Sequence, residues 1–217
     1  GIKPITITGA YSIHPRVAFA DVDGDGWDDI VAHNMSGNVR ANRERFDFLV
    51  LRNNHDSTFT DISDASGLRH VQASLIAFGD VDNDGDADAF AGLDIQDHPE
   101  PGKTHVLLLN DGAGHFSVKP GSGIEIGAGV DEETGKPLYG VGAAVFADLD
   151  GDANLDLYLG NGNTGSTGYY MSDQLFLGNG DGTFRDVSER LRGVSESLSN
   201  GAMACDFDTD GDLDVFV

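Results

Sequence analysis

Short apolar runs punctuate this chain, and turn residues close each of them. "RVAFA" (16–20), "SLIAFG" (74–79), "AAVFA" (143–147) and "GAMAC" (201–205) each stop at an aspartate. A second run follows each after an acidic stretch: "IVAH" (30–33), "AFAG" (89–92), "LYLG" (157–160) and "VFV" (215–217). Runs this short, rich in β-branched and aromatic residues and bounded by turn formers, read as strands. Each acidic stretch is therefore a loop between two strands. Two further strands follow in "FLVLRNNHDSTFTDIS" (48–63), "HVLLLNDGAGHFSV" (105–118) and "QLFLGNGDGTFRDVS" (174–188). In each, an apolar run meets an Asn/Gly/Asp turn that suits a hairpin, and Phe59, Phe116 or Phe184 opens the next strand.

The beat repeats. The acidic stretches begin at Asp21, Asp80, Asp148 and Asp206, at steps of 59, 68 and 58 residues. One unit is thus four antiparallel strands in about 60 residues, with no helical pattern of consequence. An isolated four-stranded sheet leaves an apolar face wet, and repeated sheets bury that face by stacking around an axis. The expected fold class is all-β, a β-propeller with four-stranded antiparallel blades. A sandwich is the rival stack. Blade motifs begin near residues 17, 75, 142 and 201, which makes about 3.5 blades of one partial propeller domain spanning 1–217. Rings of this kind have roughly four to eight blades. A piece of a longer six- to eight-bladed chain is therefore expected, with "ITIT" (5–8) supplying one strand.

Composition changes the picture at one point. There are 37 acidic residues against 13 Lys and Arg, a formal net charge of -24. That disfavours nucleic acid and anionic membrane surfaces as partners. No apolar run approaches the ~18 residues of a membrane helix. The single cysteine, Cys205, forms no intrachain disulfide and reads as a small buried residue.

Much of the negative charge is gathered in four loops: "DVDGDGWDD", "DVDNDGDAD", "DLDGDANLD" and "DFDTDGDLD". Counted from the first aspartate, positions 1, 3, 5 and 9 are Asp in every copy: Asp21, Asp23, Asp25, Asp29; Asp80, Asp82, Asp84, Asp88; Asp148, Asp150, Asp152, Asp156; and Asp206, Asp208, Asp210, Asp214. Several carboxylates on the concave side of one tight turn suit a hard cation that takes six to eight oxygens, and Ca2+ is the usual one. About one ion per repeat is expected, up to four. Position 6 is Gly26, Gly85, Ala153 and Gly211, where a sharp turn asks for positive φ. Ala153 implies either another backbone path or a looser site. Position 7 (Trp27, Asp86, Asn154, Asp212) varies in chemistry, as suits a backbone-carbonyl ligand. An EF-hand closes with an acid at position 12 between helices. Here that position is Ala32, Ala91, Leu159 or Val217 inside a strand, so closure falls to position 9.

"FADVDGDGWDDIVA", "FGDVDNDGDADAFAG" and "DFDTDGDLDVFV" resemble FG-GAP/VCBS-type repeats of the kind found in integrin α-subunit propellers. "TFTDISDASGL" and "TFRDVSERLRGV" look closest to the secreted cartilage-acidic-protein (UnbV-type) branch. The resemblance implies a β-propeller with calcium in the loop between the first two strands of each blade. It implies Asp21, Asp23, Asp25, the Trp27 carbonyl and Asp29 as one ligand set, with matching sets in the later copies. Ala153 departs from the pattern, and the Gly-Ala-Pro part of the FG-GAP signature is absent.

Strand alternation puts the acidic loops and the short hairpins on one face, a scaffold face. The longer, individual loops fall on the other, where function usually sits. That face carries Arg40, Arg43 and Arg45, Tyr169 and Tyr170, and His98 and His105 around a Pro-rich turn. The arginines read as solvated or ion-paired, the tyrosines as packed on the neighbouring blade, and the histidines as exposed polar residues. No nucleophile elbow, P-loop or H-E-x-x-H motif occurs. The expected function is a secreted, periplasmic or cell-surface binding or adhesion module with structural calcium in the strand 1–2 loops and a protein or glycan ligand on the long-loop face. The alternative is the scaffold of an extracellular lyase, hydrolase or redox enzyme.

Overall fold

The computed structural model describes residues 16–35, 46–94, 102–127, 129–131, 133, 135, 137–162, 171–192 and 199–217. Four strands form the first sheet: β1 (Arg16–Ala20), β2 (Asp29–Met35), β3 (Phe46–Asn53) and β4 (Phe59–Asp61). One turn of helix, α1 (Ser63–Ser66), leads out of it. The second sheet is β5 (Leu75–Gly79), β6 (Asp88–Gly92), β7 (Val106–Asn110) and β8 (Phe116–Val118). A small ribbon of β9 (Gly129–Val130) and β10 (Pro137–Leu138) follows the second sheet in the chain. The third sheet is β11 (Val141–Ala147), β12 (Asp156–Asn161), β13 (Gln174–Gly178) and β14 (Phe184–Asp186). Strands β15 (Met203–Cys205) and β16 (Asp214–Phe216) form a final pair.

Within each large sheet the order follows the chain and every pairing is antiparallel. These are up-and-down propeller blades. Their first strands lie side by side, β1 against β5, β5 against β11 and β11 against β15. The expected strand openings at Phe59, Phe116 and Phe184 are observed. "ITIT" lies outside the described residues. Among those described, no helix is long and apolar enough to cross a membrane.

The blades are joined by two cores of the same design. Val31, Phe48 and Val50 of the first blade meet Ala89, Ala91, Leu108 and Phe116 of the second. Phe90 and Leu107, from the opposite face of the second blade, meet Leu157, Leu159, Phe176 and Phe184 of the third. Neighbouring residues of β6 thus serve different cores, because side chains alternate across a strand. That explains why β6 is buried along its whole length and why its sequence lacks polar alternation.

Two expectations are corrected. Cys205 is exposed rather than buried. Its strand β15 pairs only with β16, and among the described residues no further sheet covers that side, where Met203 and Phe216 are also more than half exposed. His105 is fully buried rather than exposed. Its ring packs edge-on to Tyr139 at 4.8 Å and beside Phe90 at 5.6 Å. It belongs to the core because an imidazole offers two apolar ring faces as well as two nitrogens. Arg40, Arg43, Arg45, His98, Tyr169 and Tyr170 lie outside the described residues.

Candidate functional site

Each Asp-rich loop joins the first two strands of a blade, so its ends are fixed by a β-ladder before any ligand is considered. Ala20 faces Asp29, Gly79 faces Asp88, Ala147 faces Asp156, and Cys205 faces Asp214. Position 9 is therefore the first residue of the second strand in every copy.

Left-handed backbone at two points makes the turn tight. Position 6 has φ of 87° at Gly26, 96° at Gly85, 70° at Ala153 and 101° at Gly211. Ala153 thus follows the same backbone path as the glycines and bears the strain of its Cβ, of order 1–2 kcal/mol. Position 4 is left-handed as well, at Gly24 (71°), Asn83 (61°), Gly151 (77°) and Thr209 (62°). The Gly and Asn found at three of those four positions were the available signal for this second bend.

The carboxylates divide into jobs. Position 1 organises the turn: Asp21 accepts the N–H of Asp25 at 3.1 Å and of Gly26 at 2.8 Å. Asp80 and Asp148 do the same for positions 5 and 6 of their loops. Position 5 accepts the N–H of position 7 in all four copies, at 2.8–3.0 Å. Position 9 binds backbone on both sides. Asp29 accepts from Val22 and Asn53, Asp88 from Val81 and Asn110, and Asp156 from Leu149 and Gly178. Each of these three aspartates is fully buried. In the fourth loop Asp214 accepts from Phe207.

Position 3 differs. Among the described residues Oδ1 of Asp23 and of Asp82 is buried with no hydrogen-bond donor, and so is Oδ1 of Asp206 at position 1 of the fourth loop. A buried acceptor without a donor is costly in a folded protein and asks for a partner.

Oxygens from three positions converge. One carboxylate oxygen each from Asp21, Asp23 and Asp29 lies within 4.8 Å of the others. The same holds for Asp80, Asp82 and Asp88, for Asp148, Asp150 and Asp156, and for Asp206, Asp208 and Asp210. Oxygens on opposite sides of a Ca2+ ion sit roughly 4.8 Å apart, twice a bond of about 2.4 Å, so the spacing and the all-oxygen donor set fit that ion. Asp25, Asp84, Asp152 and Asp214 stand outside these groups. In the first loop Asp25 Oδ2 meets His55 Nε2 at 2.7 Å, and the His55 ring stacks on Trp27 at 4.9 Å. At position 7 the backbone N–H groups turn back into the loop, and the Trp27 side chain is half exposed.

Electrostatics match the crowding. Burial pushes the Asp88 carboxyl up to about 6, against the lowering effect of its two N–H donors, and the charges of Asp82 and Asp84 add to the rise. Asp29 and Asp156 move upward for the same reasons, burial foremost. Asp82 is raised by burial and then by Asp84. Positive charge is scarce nearby among the described residues: Arg52 Nε approaches Asp23 Oδ2 only to 3.9 Å.

The β3–β4 hairpin shares this face of the blade, as the His55–Asp25 contact shows. Sequence reasoning missed the residues that end the third strand, Asn53, Asn110 and Gly178, which reach the position-9 carboxylates. Their only trace in the sequence was the Asn or Gly that opens each hairpin turn.

Residues 148–217, which hold the third and fourth loops, match a family model described as an FG-GAP-like repeat. Among solved structures, a lectin of Agrocybe aegerita, described for its specific recognition of non-reducing terminal N-acetylglucosamine, is similar at 19% identity with a TM-score of 0.44. The match covers 93% of this chain and 59% of that one, so the chain spans under two thirds of the lectin's length. No curated protein matches.

Proposed function

We propose that this chain is a calcium-stabilised stretch of β-propeller that serves as a binding module, with each Asp-rich loop holding one Ca2+ ion. The observation that carries the reading is the buried, donorless Oδ1 of Asp23, Asp82 and Asp206, each in a convergent carboxylate group. Asp21, Asp23 and Asp29 would hold the ion in the first loop, and the matching positions in the second and third. Asp206, Asp208 and Asp210 would hold it in the fourth. The Trp27, Asp86, Asn154 and Asp212 carbonyls and the remaining position-5 and position-9 aspartates complete the proposed ligand sets. The ion supplies positive charge that offsets carboxylate repulsion, and so locks the loop between its strands. Sites of this open, surface kind belong with extracellular modules that bind at 10⁻⁴–10⁻³ M. A secreted, periplasmic or cell-surface setting follows, with a protein or glycan partner on the face opposite the loops.

Trp27 is the chain's single tryptophan and sits inside the first loop, which makes the test direct. Tb3+ added to EDTA-stripped protein should emit under tryptophan excitation, and Ca2+ should displace it. The melting temperature should rise by several degrees with Ca2+. No sensitised emission and an unchanged melt would refute the reading of the loops. A glycan and extracellular-protein array, run with Ca2+ and with EDTA, tests the binding role: no Ca2+-dependent hit counts against it.

A further inference from the structure

We infer that the first and second Asp-rich loops bind their ions as a coupled pair and that Asn110 is the residue that couples them. The inference rests on the calcium reading above and goes beyond it, because one ion per loop does not by itself require the loops to communicate.

Asn110 ends β7 in the second blade and is buried. Its backbone N–H donates to Oδ1 of Asp88, the position-9 carboxylate of its own loop, at 2.9 Å. Its side-chain Nδ2 donates to the Ala87 carbonyl of that loop at 3.2 Å. The same Nδ2 crosses the blade boundary and donates to the Val22 carbonyl of the first loop at 2.9 Å. Val22 in turn donates its N–H to Oδ2 of Asp29 at 3.1 Å. An unbroken chain of hydrogen bonds therefore runs Asp29–Val22–Asn110–Asp88, from one carboxylate group to the next.

The amide orientation is set by chemistry. Turning it over would aim its oxygen at two carbonyl oxygens, and as it stands that oxygen is buried without a donor. The molecule thus leaves an acceptor unmet while Nδ2 holds both loops. Among the described residues Asn53 reaches its own loop, through the Asp28 carbonyl at 3.2 Å, and Gly178 has no side chain; the second and third loops meet instead where Asn83 Nδ2 donates to Asn154 Oδ1 at 2.9 Å. An ion that draws Asp29 into place fixes the Val22 peptide, hence Asn110, hence Asp88. By linkage the effect is equal in both directions.

Trp27 again supplies the readout, since it sits inside the first loop and Tb3+ emission sensitised by it reports that loop most strongly. The second loop is disabled with Asp82→Asn, which keeps the side-chain shape. This lesson in the second loop should weaken Tb3+ affinity at the first by about 5-fold or more, the lower end of typical coupling. In Asn110→Ala and Asn110→Ser, neither of which reaches the Val22 carbonyl, the same Asp82→Asn change should shift first-loop affinity by less than about 2-fold, the remainder being through-space charge. Equal first-loop affinity in wild type and Asp82→Asn overturns the coupling while leaving the calcium reading intact. That comparison stands even if an Asn110 variant does not fold. An equal loss with and without Asn110 overturns the role of that residue. Absence of any sensitised emission removes both inferences together.

Discussion

The backbone N–H of Asn53 donates to Oδ1 of Asp29 at 2.7 Å, across 24 residues of sequence. With Val22 on Oδ2, this makes the position-9 aspartate a staple between loop and third strand. Its burial raises the carboxyl pKa, and the two donors hold the charged form in place.

Asp29→Ala removes both acceptors and strands two N–H groups. It should destabilise the protein by about 2–5 kcal/mol even in EDTA. Asp23→Asn should cost less than about 1 kcal/mol in EDTA, because Asp23 Oδ1 serves no donor. It should instead abolish the first loop's response to Ca2+. Urea denaturation of both variants with and without the ion separates the two roles. Equal behaviour of the pair would refute the division.

Ala153 holds φ of 70° where the other loops use glycine. Ala153→Gly relieves of order 1–2 kcal/mol of strain and returns about 0.5–1 kcal/mol of unfolded-state entropy. A net gain of about 0.5–1 kcal/mol is expected. A loss of stability in urea denaturation would show that Cβ packing at this position outweighs the strain.

The strand beat and the Asp loops were legible because a two-residue period and a run of like charges are local properties of sequence. The burial of His105 was not, because it depends on Tyr139 arriving from a segment 34 residues later. Position 9 was read as a closing ligand, yet its backbone partners Asn53, Asn110 and Gly178 come from a different strand. No local pattern marks that contact. Ala153 shows the opposite case: the motif's register alone put a non-glycine residue at a left-handed position, and the strain is there.

His105 gives the fold an acid-sensitive point. Its Nδ1 accepts the Leu93 N–H at 3.0 Å, so a second ring proton would break that bond and bury a charge. Burial holds its pKa down to about 4, against about 6.5 unfolded. The unfolded state therefore takes up the proton first as pH falls. The contribution is intact above about pH 6.5 and is lost on the way to pH 4, by about 2 kcal/mol at pH 5 and about 3 kcal/mol at pH 4. Loop carboxyls with raised pKa values act in the opposite sense in EDTA, so a difference is needed. The stability of wild type minus that of His105→Asn should fall by those amounts between pH 7.5 and 4. A pH-independent difference would contradict a neutral buried imidazole.

Gly178 ends β13 and donates to Oδ1 of Asp156 at 2.9 Å. A Cβ at this position would press into the Leu155 carbonyl oxygen, well inside van der Waals contact. That oxygen belongs to the backbone of the third loop, so it cannot swing aside as a side-chain tip would. Gly178→Ala must therefore push the loop off its strand, lengthen the Gly178–Asp156 bond and displace the buried carboxylate. Overpacking of this kind costs about 1–3 kcal/mol, and a lost buried bond adds about 1–3. A total near 3–5 kcal/mol is expected in urea denaturation. The same substitution should cut the Ca2+ stoichiometry by one in calorimetric titration, while Trp27-sensitised Tb3+ emission from the first loop persists. A stable variant with unchanged stoichiometry would mean that the third loop tolerates displacement from β13, and that its ligand set does not depend on the staple.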